Sequence, residues 1–263
     1  LGTGARFALI YEQGLEPLRA PTAPAEAVSS PDTSASFRDL DSLTAREVGY
    51  IRDLQALGVF ADLGPQFQPS RVVTRQEFAR WLFGAHNRMY RDRPTKQIRP
   101  VAQAAQPAFE DVKPDAPGFA EIQGLAEAGI IPSRLTGDTA ALLFQPEAPL
   151  TREQAIAWKV PLDLRRLPSP ADLEAIRNTW GFQDAEQLDA RVRRALLADY
   201  ENGDRANVLR AFGYTTLFQP RKPLTRAEAA ALLWQFGHQG EGISAAEALA
   251  LPEEGEPSAP REG

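Results

Sequence analysis

Three arginines stand where an anion would be held. Thr74-Arg75-Gln76-Glu77, Thr151-Arg152-Glu153-Gln154 and Thr225-Arg226-Ala227-Glu228 each open an apolar stretch. Thr-x-x-Glu/Gln ahead of such a stretch is a capping box. The hydroxyls of Thr74, Thr151 and Thr225 take a free backbone N–H, and Glu77, Gln154 and Glu228 reach back to the N–H of the cap. This accounts for the Thr and for the Glu or Gln, but not for the arginine. An arginine at the first helical position sits against the positive end of the helix dipole, an unfavourable place for a cation. A helix N-terminus with a guanidinium beside it makes a compact site for a carboxylate or phosphate. The competing role is a salt bridge to one of the 35 Asp and Glu residues. The residues by themselves leave both open.

Each Thr-Arg follows, seven residues on, an identical tripeptide: Phe67-Gln68-Pro69, Phe144-Gln145-Pro146 and Phe218-Gln219-Pro220. Each tripeptide is preceded by a Phe-x-Asp, at Phe37/Asp39, Phe109/Asp111 and Phe182/Asp184. A thrice-repeated unit sets the architecture, and a thrice-copied site binds more readily than it catalyses. In the first unit Val48, Ile51, Leu54 and Leu57 recur at helical spacing before Gly58, which suits a helix C-cap. Phe119, Ile122 and Leu125 do the same before Gly129. The third unit is longer, with Asn202-Gly203 marking a turn between two helical pieces. Phe37, Phe109 and Phe182 read as buried anchors, with the following Asp capping the next helix. Trp81, Trp158 and Trp234 read as core or groove walls. Asp199 to Asp204 reads as a plain turn, because its glycine is misplaced for an EF-hand loop.

The pattern predicts residues 1–36 as an extended N-terminal segment and linker, with prolines at 17, 21, 24 and 31. It places the first repeat at 37–87, a linker at 88–108, the second repeat at 109–160 and a linker with a short helix over Ala171–Thr179 at 161–181. The third repeat follows at 182–237 and a C-terminal tail at 238–263.

Composition narrows the function classes. With 43% apolar and 24% charged residues the chain of 263 can bury a core. A net charge of −6 excludes nucleic-acid binding through bulk charge. The absence of cysteine excludes disulfides, thiolate metal sites and cysteine nucleophiles. His86 and His238, the two histidines, lie far apart in sequence and do not make a metal pair. No nucleophile–base pair, phosphate loop or metal cluster stands out, so neither an enzyme nor a cofactor is expected. No run approaches the roughly 18 apolar residues of a membrane helix. The chain starts at Leu1 and its one methionine is Met89, which leaves room for a signal or anchor ahead of it.

Phe-x-Asp, an apolar helix ending in Gly-Val or Gly-Ile, Phe-x-Pro and then Thr-Arg-x-Glu over some 50 residues resembles the S-layer homology (SLH) domain family. Three tandem copies are that family's usual arrangement. The third unit, from Trp180-Gly181-Phe182 through Arg210-Ala211-Phe212-Gly213-Tyr214, looks like a cyanobacterial branch of it. The resemblance implies an all-α fold, a pseudo-threefold bundle of three helix-loop-helix repeats with extended Pro-rich terminal segments and grooves between repeats. It implies a non-catalytic module in the cell envelope that binds acidic, pyruvylated-type cell-wall polysaccharide. Arg75, Arg152 and Arg226 would hold the acidic substituent. The alternative is a protein–protein scaffold that kept the fold without the sugar, on a membrane complex, thylakoid-associated in a photosynthetic organism. The chain departs from the family at Gln154, where the family has Glu, and in having no tryptophan soon after Phe-x-Asp.

Overall fold

The structure, a computed structural model, describes residues 36–99, 101, 106–164 and 172–252. The N-terminal segment up to residue 35, parts of both linkers and tail residues 253–263 lie outside the described residues. The fold is helical, as expected. Helices α1 (Ala45–Ala56) and α2 (Arg75–Met89) belong to the first segment, α3 (Phe119–Glu127) and α4 (Arg152–Asp163) to the second. After the short α5 (Leu173–Thr179), the third segment contains α6 (Ala190–Tyr200), α7 (Asn207–Phe212) and α8 (Arg226–Leu233). The chain then forms a two-stranded antiparallel ribbon, β1 (Gln235–Phe236) with β2 (Ile243–Ser244), and a last turn of helix, α9 (Ala245–Leu249). The first part of the region read as a tail is thus built structure, started by a capping box from Ser244 to Glu247.

Capping follows the sequence closely. Thr74, Thr151 and Thr225 each accept from the backbone N–H three residues on, and Glu77, Gln154 and Glu228 return the bond. Gly58 and Gly129 leave α1 and α3 with φ of 75° and 76°, a conformation that glycine adopts without steric cost. Asn202-Gly203 separates α6 from α7, as the turn signal predicts. Helix α5 begins two residues after the expected start, because Asp172 caps it.

The Phe-x-Asp aspartates do something other than cap the next helix. Thr44 caps α1. Asp39 instead accepts from Phe67 N at 2.8 Å and Gln68 N at 2.7 Å. Asp111 takes Phe144 N and Gln145 N at 2.7 Å each, and Asp184 takes Phe218 N at 2.9 Å and Gln219 N at 2.7 Å. Gln68, Gln145 and Gln219 all sit at φ 57°, a left-handed conformation that costs a non-glycine residue about 1–2 kcal/mol. Two charge-assisted bonds per aspartate offset that cost and fix the loop. Behind each loop the two phenylalanines of a segment meet at nearly the same geometry. Ring centroids are 5.3 Å apart for Phe37–Phe67, 5.3 Å for Phe109–Phe144 and 5.4 Å for Phe182–Phe218.

The three segments are joined at their centre by main chain. Val73 N donates to Leu224 O at 2.9 Å, Leu224 N to Leu150 O at 2.8 Å, and Leu150 N to Val73 O at 3.0 Å. The three residues are fully buried, so none of these amides has water as an alternative partner. The ring closes on itself and satisfies each segment through the other two.

A second buried assembly ties α4 to the third segment. Asp163 accepts from Lys159 Nζ at 2.5 Å, Asn207 Nδ2 at 2.8 Å and Gly237 N at 2.9 Å. Asp199 accepts from Asn207 N, Asn207 Nδ2 and Val208 N at 2.7–2.9 Å. Burial pushes the Lys159 ammonium down to about 8 and the Asp199 carboxyl up. Nearby, His86 packs edge-on to Phe236 at 5.1 Å, and burial pushes it down to about 4. The unfolded chain takes up a proton near pH 6.5 that the folded chain refuses. Stability should therefore fall as pH drops from 6.5 to about 4, by up to about 3 kcal/mol, and be unaffected by His86 above that window. Urea midpoints measured across that range for the parent and a His86→Leu variant check this; the variant should show a shallower slope.

Candidate functional site

The Thr-Arg corner is assembled from two segments at a time. The first-turn amides of each capped helix bond to the loop of a neighbour. Arg75 N donates to Ala148 O, Arg152 N to Lys222 O and Arg226 N to Arg71 O, at 2.9–3.0 Å. The guanidinium then reaches the clamped phenylalanine carbonyl of the same neighbour. Arg75 Nε donates to Phe144 O at 2.5 Å, Arg152 Nη1 to Phe218 O at 3.2 Å and Arg226 Nη1 to Phe67 O at 2.8 Å. The arginine that capping chemistry does not require is thus an inter-segment strut, held by a carbonyl that the Asp clamp positions.

From there the three corners diverge. Arg226 is 2% exposed and its Nη2 lies 2.6 Å from Glu77. Arg152 is 7% exposed and its Nη2 lies 2.6 Å from Glu228. In both cases the salt-bridge role is the one observed. A second cation stands further out on each carboxylate, Arg71 at 3.9 Å from Glu77 and Lys222 at 4.0 Å from Glu228. Arg75 is half-buried, and the corresponding position across its corner is Gln154, an amide. Among the described residues Arg75 has no carboxylate in ion-pair contact. Its guanidinium carbon lies 5.0 Å from the Phe144 ring centre and 5.1 Å from that of Trp158.

Trp81 and Trp158 back the arginines from inside the core, at 1% and 3% exposure, and Trp81 also borders a cavity of about 920 Å³. Trp234 is not their counterpart. Leu232 occupies that position in α8, and Trp234 turns to α1, its ring tilted against Tyr50 at 4.9 Å and its indole N–H donating to Asp53 at 2.7 Å. Phe212 takes over beside Arg152, 4.3 Å from its guanidinium carbon. The Arg226 corner borders a cavity of about 550 Å³ lined by Asp62, Glu77, Glu147, Arg71, Arg80 and Arg226 itself, its charges mostly paired within it, with Arg80 on Asp62 at 2.9 Å. Among the described residues there is no cluster of three metal-ligating side chains, and no helix is long and apolar enough to cross a membrane.

Sequence reading missed the clamp of the aspartates on Phe-Gln-Pro. The signal was there, since Asp and Phe-Gln-Pro recur together three times. It also missed the outer cations, Arg71 and Lys222, whose position in the second segment holds Ala148.

The S-layer homology domain profile matches residues 36–79 and 108–156, the two stretches that run from Phe-x-Asp through the Thr-Arg helix in the first and second segments. Those two stretches are similar to S-layer homology domains. Such domains are binding modules that associate proteins with the cell envelope, typically through cell-wall polysaccharide. No curated protein matches this chain.

Proposed function

We propose that this S-layer homology protein is a non-catalytic envelope anchor that binds the acidic substituent of a cell-wall polysaccharide. The binding corner lies between α2 and the second segment, with Arg75 as the anion-holding residue. The observation that carries this reading is the state of Arg75: half-buried, braced through Nε on Phe144 O, and among the described residues without a carboxylate in ion-pair contact, Asp111 acting on it only from further off. A guanidinium fixed at one edge keeps its outer donors oriented for a bidentate contact with a carboxylate. Phe144 and Trp158 beside it lower the local dielectric and strengthen that contact. Residues 182–237 act as a third unit in this reading, and the bundle is pseudo-threefold. The same Asp clamp, left-handed Gln and Thr cap in all three segments, and the closed Val73–Leu150–Leu224 ring, support that arrangement.

Arg75→Ala removes one charge-assisted contact, which carries about 1.5–3 kcal/mol. Its affinity for purified peptidoglycan–polysaccharide sacculi should fall roughly ten- to a hundredfold, measured well below the melting transition, which loss of the bond to Phe144 O should itself lower. A variant that binds sacculi as well as the parent would move the function to the scaffold reading, in which a protein partner takes the place of the sugar.

A further inference from the structure

We infer that a cavity beside α5, α6 and α7 is a binding site for a quaternary ammonium group, held by the rings of Trp180, Tyr200 and Tyr214 and by the carboxylate of Asp204. No residue of the Thr-Arg corners lines it, and its ligand has the opposite charge. It therefore stands or falls independently of the polysaccharide reading.

The cavity measures about 380 Å³, which falls in the range of small-ligand clefts, about 300–1,000 Å³. Trp180 caps the C-terminus of α5 and Tyr200 ends α6. Their rings meet at 5.3 Å and 79°, so they form a corner and not a flat platform. The indole is fixed in place: it lies parallel to Phe182 at 5.6 Å, and its N–H donates to Leu196 O at 2.7 Å. Tyr214 reaches the same cavity from the loop after α7. That helix ends at Gly213 with φ 70° and ψ −168°, a conformation essentially confined to glycine. Tyr214 is 91% exposed and makes no ring contact among the described residues, so it contributes nothing to the core.

Charge and hydrogen-bonding capacity sort the ligand. Asp204 is the one charged residue among the described residues of the lining. It is exposed, with no hydrogen bond or ion pair among the described residues. An anion would meet that carboxylate with no cation to offset it. A sugar would need partners for its hydroxyls, and both threonines of the lining are committed to the main chain. Thr179 Oγ1 donates to Ala175 O at 2.8 Å, and Thr215 Oγ1 to Leu217 O at 2.9 Å. A proline-rich peptide would need a donor for its carbonyls, and the indole N–H is taken. A quaternary ammonium makes none of these demands. It has no hydrogen bond to give, its methyl groups pack against rings, and its charge is attracted by π faces and by the carboxylate alike.

Choline is the probe, and dimethylbutanol, the same shape without the charge, is its control. Saturation-transfer NMR on the full chain reads contact at the methyl protons, and calorimetry gives the affinity. We expect choline to bind and dimethylbutanol to bind far more weakly. Tyr214→Ala and Asp204→Asn should each weaken choline binding roughly three- to tenfold. Both should melt with the parent, because both side chains are exposed. Tyr214→Phe, which restores the ring, should recover most of the loss. Retention on phosphatidylcholine vesicles, reversed by free choline, would assign the ammonium to a lipid headgroup; choline binding without retention would assign it to a free or polymer-borne cation. Either result supports the site. Equal binding of dimethylbutanol would show a merely apolar cleft, and tighter binding of cellobiose or an oligoproline peptide would show a sugar or peptide site. Each of these overturns the inference, as does a parent with no choline signal, or choline binding untouched by both Tyr214→Ala and Asp204→Asn.

Discussion

Glu77→Gln should cost about 3–5 kcal/mol of stability, although the substitution keeps every atom of the capping box in place. The reason is Arg226, whose side chain is 3% exposed and whose only charged partner at hydrogen-bond distance among the described residues is Glu77. An ion pair buried this deeply contributes little net stability when intact, but removing one member strands the other without water. The amide that serves at position 154 is tolerated there because Arg75 is partly solvated; the same amide at position 77 faces a buried charge. A denaturant titration decides between the two contributions. An unchanged stability would mean that Glu77 acts as a cap alone, and a loss of several kcal/mol would mean that it neutralises Arg226.

A second large loss is expected at the other end of α4. Lys159 is fully buried, with its ammonium 2.5 Å from Asp163 and 4.2 Å from the Phe236 ring centre. Lys159→Ala leaves Asp163 as an uncompensated carboxylate and opens a void beside Phe236, and the expected cost is again about 3–5 kcal/mol. Against a total stability of roughly 5–15 kcal/mol, this approaches global unfolding. Since Asp163 also accepts from Asn207 and Gly237, the damage should spread to the third segment. An unchanged urea midpoint for Lys159→Ala would show that the Asn207 and Gly237 bonds hold Asp163 without it.

The sequence displays the elements of this fold because they are written locally. Helix starts at Thr74, Thr151 and Thr225 and exits at Gly58 and Gly129 follow from residues within one turn of each boundary. The even choice between ligand site and salt bridge for the arginines could not be settled that way. The partner of Arg226 is Glu77, and that of Arg152 is Glu228; both lie a whole segment or more away. Only the closed arrangement of segments brings them together. The departure at Gln154 was visible as a missing glutamate, but its meaning depends on which arginine it faces. The burial of Trp81 and Trp158, and the different place of Trp234, depend likewise on packing between helices distant in sequence. The clamp of Asp39 on Phe67 and Gln68 lies between these extremes: its partners recur in register, yet the left-handed glutamines give no sequence signal, because glutamine is not a residue that ordinarily marks such a turn.

The ring through Val73, Leu150 and Leu224 has a consequence for how such a protein can change over time. Open repeat arrays grow or shrink by a unit because each unit touches only its neighbours and a cap seals each end. Here the amide of the first segment donates to the carbonyl of the last, so there is no free end at which to add a copy and no copy that can be deleted without orphaning two buried main-chain groups. Gene duplication inside this chain should therefore produce a second complete ring or a misfolded one, never a ring of four, and new specificities must arise by point changes at its corners.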